Sequence, residues 1–270
     1  MNPAIASRPA SSTSRTLRVG SVSYLNAKPL IHGLENDPNV DLQLAVPAKL
    51  LDGLRSRQFD VALLPVIDFQ RLRDARIVPS GGIGCDGPTL TVRIFSRTPI
   101  KKITALACDA ESHTSVALAR IVLAERFGIR PRFVDLPEPS AADNAVLLIG
   151  DKVVSHAPVG MEHQLDLGAA WKELTGKPFV FAVWIARFGT DLADLPDRLR
   201  QARDRGLADL PNIVARHAVS RGWPADLAMK YLSVYLKFEI GPPQLDAIRH
   251  FHDLASKYGI IESPRPLDLY

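Results

Sequence analysis

The sequence predicts an α/β fold of two lobes, completed by a helical C-terminal segment, and three features of the chain lead to this prediction. Up to about residue 190, short apolar runs alternate with segments of helical periodicity, which is typical of βαβ units with mostly parallel sheets. Two extended apolar stretches divide this part of the chain and indicate that a second lobe is inserted into the first. From residue 192 onward the pattern is wholly helical.

The α/β part contains candidate strands at 17–21, 41–46, 60–64, 90–95, 103–108, 132–135 and 145–149. Candidate helices lie among and after them, at 28–35, 47–56, 66–72, 114–127 and 162–174. The helix at 47–56 is typical: Pro47 suits a first helical position, and leucines recur after it at helical spacing. In the C-terminal segment, breaks rich in glycine and proline separate helices at 195–207, 208–221, 224–238 and 242–258.

Residues 91–99 and 178–188 are the two stretches expected to cross between the lobes. Both are extended and favour β-structure, without a helical stripe. They assign residues 17–96 and 184–270 to the first lobe and residues 97–183 to the inserted second lobe, with a ligand cleft between the two. This is the plan of a hinged, two-lobed binding protein of the periplasmic type II architecture.

The composition is that of a soluble globular chain, with 46% hydrophobic and 23% charged residues in a length of 270. The net charge of +4 arises from scattered basic residues, and the densest arginine group, at 198–205, is mixed with aspartates as on a solvated helix. A nucleic-acid partner is therefore not expected, whereas a mildly positive field would help to capture a small anion.

The N-terminus and the cysteines indicate the compartment. Residues 1–16 are rich in Ser, Thr, Pro and Ala and contain no apolar segment, so we expect a disordered tail and not a signal peptide. No stretch approaches the roughly 18 apolar residues of a membrane helix. Cys85 and Cys108 show neither metal-binding nor disulfide spacing and suit a reducing compartment. These features predict a cytoplasmic protein that does not associate with a membrane.

The first candidate site follows the first strand, in the stretch SVSYLNAKPL at 21–30. Ser23, Tyr24 and Asn26 crowd the strand exit, and Pro29 is well placed to begin a helix. In open α/β sheets, ligands bind at the carboxyl ends of the strands. The stretch is therefore either a binding site or an ordinary loop that caps a helix.

Two further strand ends are candidates. Asp86 stands in a tight DGP turn, which alone can explain an aspartate, and Thr91 in the strand after it faces either the cleft or the sheet. Gly150 and Asp151 end the strand at 145–149. Gly150 would let a ligand approach the backbone, and Asp151 either orients a ligand hydroxyl or caps the next segment.

A helix start at 112–115 is the candidate anion site. Ser112, Thr114 and Ser115 place hydroxyl groups at a helix N-terminus, where exposed N–H groups and the helix dipole favour a negative charge. One hydroxyl would suffice as a helix cap, and three are present. We therefore expect a carboxylate to bind here.

The chain lacks the motifs of several cofactor enzymes. No GxxxxGK[ST], GxSxG or HExxH motif occurs, no GxGxxG pattern opens a candidate helix as in a dinucleotide-binding motif, and the seven histidines are dispersed. The sequence thus indicates a cleft that holds a small anion, without a metal ion or a nicotinamide cofactor.

Five segments follow one another along the chain: RVGSVSYLNAKPL, GCDGP with the hydroxyl-bearing strand after it, SHTSVALARIVL, LLIGDKVV and DLGAAWKELTGKPFVFAVW. In this order they resemble the chorismate dehydratase family, which opens the futalosine route to menaquinone. The match is close over roughly 18–190 and looser in the helical tail. The resemblance implies a periplasmic-binding-protein type II fold used as a cytoplasmic lyase. In this family chorismate, a dicarboxylate, loses water to give 3-[(1-carboxyvinyl)oxy]benzoate, with no metal or organic cofactor.

The resemblance also assigns roles to residues. The family's SYLN asparagine falls on Asn26, which is expected to hold the leaving hydroxyl or a carboxylate. The family's serine after the DGP turn falls on Thr91, which is expected to hydrogen-bond the reacting region. The helix start SRTS reads SHTS here, so His113 replaces an arginine and would pair with a carboxylate less well near neutral pH. Both departures bear on substrate affinity and not on the fold.

The base that abstracts the proton is left open. The substrate's own enolpyruvyl carboxylate can serve, and Asp86 or His113 is the alternative. Two other functions are also open. One is a non-catalytic solute-binding protein of the same fold. The other is the related enzyme that releases dihydroxynaphthoate later in the same route, whose opening motif Cys-Pro-Asn-Asp is Ser-Tyr-Leu-Asn in this chain.

Overall fold

The computed structural model describes residues 15–109, 112–136 and 144–270. The predicted tail at 1–16 therefore lies outside the described residues, apart from residues 15 and 16. Within these ranges the chain forms two β-sheets surrounded by helices, and the segment after residue 190 is mainly helical. The predicted α/β fold with two lobes and a helical C-terminal segment is confirmed. No helix in the described ranges is long and apolar enough to cross a membrane.

The first sheet is mixed and contains β1 (Leu17–Ser21), β2 (Val40–Leu44), β3 (Val61–Pro65), β4 (Ala75–Cys85), β10 (Phe179–Arg187) and β11 (Leu236–Lys237). Their order is β11-β4-β10-β3-β1-β2. Strand β1 runs parallel to β2 and β3, whereas β10 is antiparallel to both of its neighbours, β3 and β4. The expectation of mostly parallel sheets is wrong here, because the chain re-enters the sheet in the opposite direction through β10.

The second sheet contains β5 (Val92–Ser96), β6 (Ala105–Asp109), β7 (Arg132–Leu136), β8 (Ala145–Ile149) and β9 (His163–Asp166). Their order is β7-β6-β8-β5-β9. Strand β6 is parallel to β7 and β8, and β5 is antiparallel to β8 and β9. This sheet is also mixed, because both of the strands adjacent to β5 run opposite to it.

The α-helices of the described residues are α1 (Pro47–Arg55), α2 (His113–Phe127), α3 (Lys152–Ser155), α4 (Leu167–Thr175), α5 (Leu195–Ala208), α6 (Leu210–His217), α7 (Ala225–Lys230) and α8 (Pro242–Lys257). Shorter segments differ from the predicted α-helices. The helix expected at 28–35 is a 3-10 helix, Leu25–Ile31, with Pro29 inside it, and the helix expected at 66–72 is a 3-10 helix, Val66–Arg71. A proline lacks the N–H that a regular helix interior requires, so the first segment stays short.

Three strands are absent from the sequence-based assignment, and the shortest of them is β11, which lies within the helix predicted at 224–238. Strand β4 contains a proline and three glycines, which read as a loop. Gly82 and Gly84 are required there, since a Cβ atom would lie 2.5 Å from the carbonyl oxygen of Ala182 and 2.6 Å from that of Phe179 respectively. The remaining missed strand is β9, which with α4 occupies the stretch 162–174 predicted as one helix.

The chain passes between the sheets twice. The first connection is residues 86–91, between β4 and β5, and the second is α4 with residues 176–178, between β9 and β10. Strand β5 therefore belongs to the second sheet and the whole of β10 to the first, whereas the sequence-based division places residues up to 96 in the first lobe and begins the return at 184. The lobe limits remain predictions. At both connections the chain passes from one sheet to the other at earlier residues than those limits.

The second connection is packed into the core by aromatic rings. Trp171 of α4 meets Phe179 of β10 edge to face, with ring centroids 5.2 Å apart, and meets Phe251 of α8 at 6.1 Å. All three side chains are fully buried, and burial of a ring of this size contributes roughly 1.5–3 kcal/mol. The two sheets are therefore joined by a continuous core behind the space that separates them.

Candidate active site

A cavity lies between the two sheets and takes its walls from both. Eight of the eleven candidate residues line it: Tyr24, Asn26, Thr91, Ser112, Thr114, Ser115, Gly150 and Asp151. Most of the remaining wall is apolar, including Leu63, Ile83, Val92, Ile149, Phe181 and Leu236. An apolar cavity with a few polar groups is typical of a site for a small organic ligand.

Asn26 reaches the cavity from the 3-10 helix that follows β1. The neighbouring side chains Leu25 and Ala27 are fully buried and anchor this helix against the sheet. The Asn26 side chain hydrogen-bonds the hydroxyl of Tyr231. Its Oδ1 atom is buried and has no hydrogen-bond partner among the described residues. A buried amide oxygen of this kind is normally satisfied, so it is available to a ligand donor.

Thr91 and Tyr231 form a hydroxyl pair on the same wall. The Oγ1 atom of Thr91 lies 2.8 Å from the Tyr231 hydroxyl, and both side chains are buried. Burial raises the pKa of Tyr231 well above its ordinary value, and the hydrogen bonds with Thr91 and Asn26 oppose this in part. The phenol is therefore protonated near neutral pH. The three side chains form a connected network that can donate hydrogen bonds into the cavity.

Tyr231 is the main site residue that the sequence analysis missed. It begins a π-helical turn, Tyr231–Tyr235, directly after α7. Trp223 stacks on its ring with centroids 4.9 Å apart and orients it toward the cavity. π-Helical turns are frequent at functional sites, but nothing in the local sequence distinguishes this one from an ordinary helix.

The start of α2 brings three hydroxyl groups to the second wall. Ser112, Thr114 and Ser115 are all buried and line the cavity. Ser112 occupies the cap position, yet its side chain makes no capping hydrogen bond. The Thr114 hydroxyl accepts a hydrogen bond of 3.3 Å from the backbone N–H of Ile67 and so links α2 to the first sheet. The helix start therefore presents its positive dipole end and hydroxyl groups to a ligand.

Gly150 and Asp151 follow β8 on this wall. Gly150 has a φ of +61°, in the left-handed region where glycine is favoured because it has no Cβ atom. Asp151 makes no capping hydrogen bond; its Oδ1 accepts one of 2.8 Å from the Trp223 indole N–H, and Arg221 lies 3.7 Å from its Oδ2. Burial raises the pKa of Asp151, while the Trp223 hydrogen bond and the Arg221 charge oppose the shift. Among the described residues it is the one carboxylate that lines the cavity.

Three candidate residues lie outside the cavity. Ser23 is exposed, and its carbonyl oxygen accepts a hydrogen bond from Arg221. Asp86 points away from the cavity toward α4, where it forms an ion pair of 2.5 Å with Lys172.

His113 turns toward the first sheet, because its Nδ1 lies 2.8 Å from the fully buried carboxylate of Asp68, which also pairs with Arg71 at 3.0 Å. Direct contact of His113, Ser23 or Asp86 with a ligand in the cavity is therefore not supported by this geometry.

The two sheets and the cavity between them define a class by fold: the two-sheet, periplasmic-binding-protein-like proteins. A crystal structure of a protein from Archaeoglobus fulgidus is similar to this chain with a TM-score of 0.73 and 16% identity, covering 93% of this chain and all of the other. The alkanesulfonate-binding protein of Xanthomonas axonopodis, solved with bound MOPS, is similar with a TM-score of 0.66 and 14% identity, covering 95% and 96% of the two chains. These similarities show the fold.

The sequence comparison is more specific. The family model described as menaquinone biosynthesis matches residues 17–257, and the chain belongs to this family. The chorismate dehydratase of Thermus thermophilus is 30% identical over 235 residues, which are 79% of this chain and 86% of that protein. The chorismate dehydratase of Campylobacter jejuni is 28% identical over 170 residues, 60% and 64% of the two chains.

Proposed function

We propose that the protein is a chorismate dehydratase, a lyase that removes water from chorismate to give 3-[(1-carboxyvinyl)oxy]benzoate in menaquinone biosynthesis. The observation that carries the proposal is the network of Asn26, Tyr231 and Thr91, which faces the hydroxyl-rich start of α2 across one cavity. The family and the two dehydratases that the chain resembles support the same reaction.

Substrate binding follows from the charge and the donors of the cavity. Chorismate carries two carboxylates, and the start of α2 offers helix N–H groups with the hydroxyls of Ser112, Thr114 and Ser115. Lys152 also lines the cavity, and the chain carries a net charge of +4. The apolar wall accommodates the ring. We place one carboxylate at the start of α2 and the reacting edge of the ring at Asn26.

The reaction is an elimination that makes the ring aromatic. The C–H bond at the ring carbon bearing the enolpyruvyl ether breaks, and its electron pair becomes a ring double bond. The C–O bond to the neighbouring hydroxyl breaks at the same time, and the hydroxide leaves as water with the abstracted proton. The substrate supplies the driving force, so the residues have to fix the geometry and assist the proton transfer.

The residue roles follow from this chemistry. Asn26 holds the leaving hydroxyl, and the Thr91–Tyr231 pair donates a hydrogen bond to the reacting region. Because Asp86 and His113 lie outside the cavity, we assign the base to the substrate's own enolpyruvyl carboxylate. Asp151, fixed by Trp223, orients a second polar group of the ligand.

The test is an assay of desalted protein with chorismate, followed through the loss of the diene absorbance. The proposal predicts turnover that persists in the presence of a chelator. Turnover that a chelator abolishes and a divalent ion restores would contradict the cofactor-free mechanism.

A second candidate is a non-catalytic binding protein, which the similarity to the alkanesulfonate-binding protein favours. In that case calorimetry would show binding of chorismate, and the ligand would be recovered unchanged. The related dihydroxynaphthoate-releasing enzyme is disfavoured, since the two relatives named above are chorismate dehydratases. Cys85 and Cys108 are both buried thiols, which supports the cytoplasmic location that we propose.

A further inference from the structure

A strained turn precedes β5 at the edge of the cavity. The backbone N–H of Thr91 donates a hydrogen bond of 2.8 Å to the carbonyl oxygen of Thr89, and Leu90 between them has a φ of +66°. This is a γ-turn with positive φ at its central residue, a form that side chains other than glycine rarely adopt. Both residues that flank Leu90 line the cavity. Strain of this kind persists only where the surroundings hold it.

The carboxylate of Asp166 holds this turn. It accepts hydrogen bonds from the backbone N–H of Thr89 at 3.0 Å and from that of Leu90 at 2.8 Å. It also accepts a hydrogen bond of 3.0 Å from the N–H of Ala169, which caps α4. Arg93 lies 3.6 Å from the same carboxylate, whose side chain is 11% exposed. One largely buried carboxylate therefore links the first connection between the sheets to the start of the second connection.

The start of α4 supports the turn from behind. A Cβ atom on Gly168 would lie 2.6 Å from the carbonyl oxygen of Gly87 and 3.1 Å from the Cβ of Thr89. The helix and the turn are therefore in contact along their backbones, and the turn cannot relax toward α4.

The turn sets the position of Thr91. The carbonyl oxygen of Thr91 accepts a hydrogen bond of 2.8 Å from the N–H of Gly150, and its hydroxyl lies 2.8 Å from that of Tyr231. Thr91 is thus held on one side by the cavity network and on the other by the turn that Asp166 fixes. If Leu90 relaxed to negative φ, the Thr91 hydroxyl would leave its partner.

We infer that Asp166 is a positioning residue for the reaction proposed above: it holds Leu90 in a left-handed conformation and thereby keeps the Thr91 hydroxyl in the network with Tyr231 and Asn26. It does not line the cavity and does not touch the substrate. The inference rests on the proposed function for its effect on turnover, but the device itself is structural and can be tested separately.

The first experiment compares Asp166→Ser with the wild type in the presence and in the absence of Leu90→Gly. Serine still caps α4, but its shorter side chain cannot also reach the N–H groups of the turn. We expect kcat to fall by about 10²-fold, since displacement of a reacting group by about 1 Å has an effect of this size, while KM changes less than threefold. With glycine at position 90 the left-handed conformation needs no support, so the same Asp166→Ser change should reduce kcat at least fivefold less.

The second experiment measures amide hydrogen exchange, which is independent of turnover. In Asp166→Ser, the N–H groups of Thr89 and Leu90 should exchange faster, whereas those of α4 should stay protected. An equal loss of kcat in both backgrounds, or unchanged exchange in the turn, would overturn the inference. If the wild type does not consume chorismate but the exchange result holds, the proposed function fails and the role of Asp166 in holding the turn stands.

Discussion

At Asn26, a very small change of side chain can separate an effect on ligand binding from an effect on folding. Asn26→Asp keeps the volume of the side chain but replaces the amide donor with a carboxylate, which can no longer donate to the Tyr231 hydroxyl and repels a dianionic substrate. We expect turnover of chorismate to fall by about 10²–10³-fold with a nearly unchanged melting temperature, as for loss of a transition-state donor.

The matched control is Asn36→Asp, the same change on an exposed asparagine outside the cavity lining. It should leave turnover as in the wild type. A folded Asn26→Asp variant with normal turnover would show that the stretch after β1 is only a loop.

Tyr231 supplies a second residue-scale prediction. Tyr231→Phe removes the hydroxyl and keeps the ring that Trp223 stacks on, so packing survives while Thr91 loses its partner. We expect a drop in kcat of about tenfold, corresponding to one hydrogen bond of about 1.4 kcal/mol. Steady-state kinetics provide the measurement. Tyr235→Phe, four residues further on and outside the cavity lining, is the control, and equal effects of the two changes would exclude a specific role for Tyr231.

At the scale of elements, the start of α2 is expected to bind a substrate carboxylate. Ser115→Ala removes a hydroxyl from the cavity wall and should weaken substrate binding by roughly 1.5–3 kcal/mol, with a small effect on stability. Thr114→Ala should also lower the unfolding free energy, by about 1–3 kcal/mol, because it leaves the buried N–H of Ile67 without its acceptor. Calorimetric titration and thermal unfolding separate the two effects. An unchanged substrate affinity in Ser115→Ala would show that the helix start is only a structural cap.

The docking of α8 makes stability dependent on pH. His252 is buried against the 3-10 helix Val66–Arg71: its Nδ1 lies 2.8 Å from Gln70 Nε2, and its Nε2 lies 3.2 Å from the Val66 carbonyl oxygen. Burial lowers the pKa of His252 to about 4, from 6.5. Between these values the unfolded chain binds a proton that the folded chain does not. Stability should therefore decrease as the pH falls from about 6.5 to 4, by up to about 3 kcal/mol.

The measurement is denaturant unfolding at several pH values for the wild type and for His252→Gln. The variant should lose most of the pH dependence in that interval. His156→Gln, on an exposed histidine, serves as the control and should behave as the wild type. An unchanged slope in His252→Gln would assign the effect to other groups.

The elements also show what the sequence can predict. Strands such as β3 and β8 are predicted because their apolar runs are buried and uninterrupted. Strand β4 is not predicted, since Pro79 and the glycines interrupt its apolar pattern. Gly82 and Gly84 are required only because β10 approaches β4 closely, which the local sequence does not reveal. The site follows the same division. The site residues at strand ends and at a helix start are predicted from their position in the sequence. Tyr231 is not predicted, because stacking on Trp223 and a π-helical turn bring it to the cavity.

Asp166 shows the same limit at a larger distance along the chain. Its spacing before α4 is that of an ordinary helix cap, and its contacts with residues 89 and 90 lie more than 70 positions away. Local periodicity carries no information on such a contact. The assignment of residues 162–174 to one helix places Asp166 inside that helix and conceals its role.

At the scale of the whole molecule, two sheets meet over a shared aromatic core on one side and a largely apolar cavity with a few polar groups on the other. The two connections between the sheets run close together and are linked by Asp166 and by the ion pair of Asp86 with Lys172. A molecule built in this way holds Asn26, Thr91 and the start of α2 at fixed distances across the cavity. Ligand binding should therefore stabilise the protein as one unit.

The most direct test of the central claim is the mass of the compound formed when desalted wild-type protein is incubated with chorismate. The account predicts a product lighter than chorismate by one molecule of water, with the ultraviolet spectrum of a benzoate, formed by the wild type and lost in Asn26→Asp. Recovery of chorismate at its original mass, with the wild type folded and in excess, would contradict the assignment of this cavity as a dehydratase site.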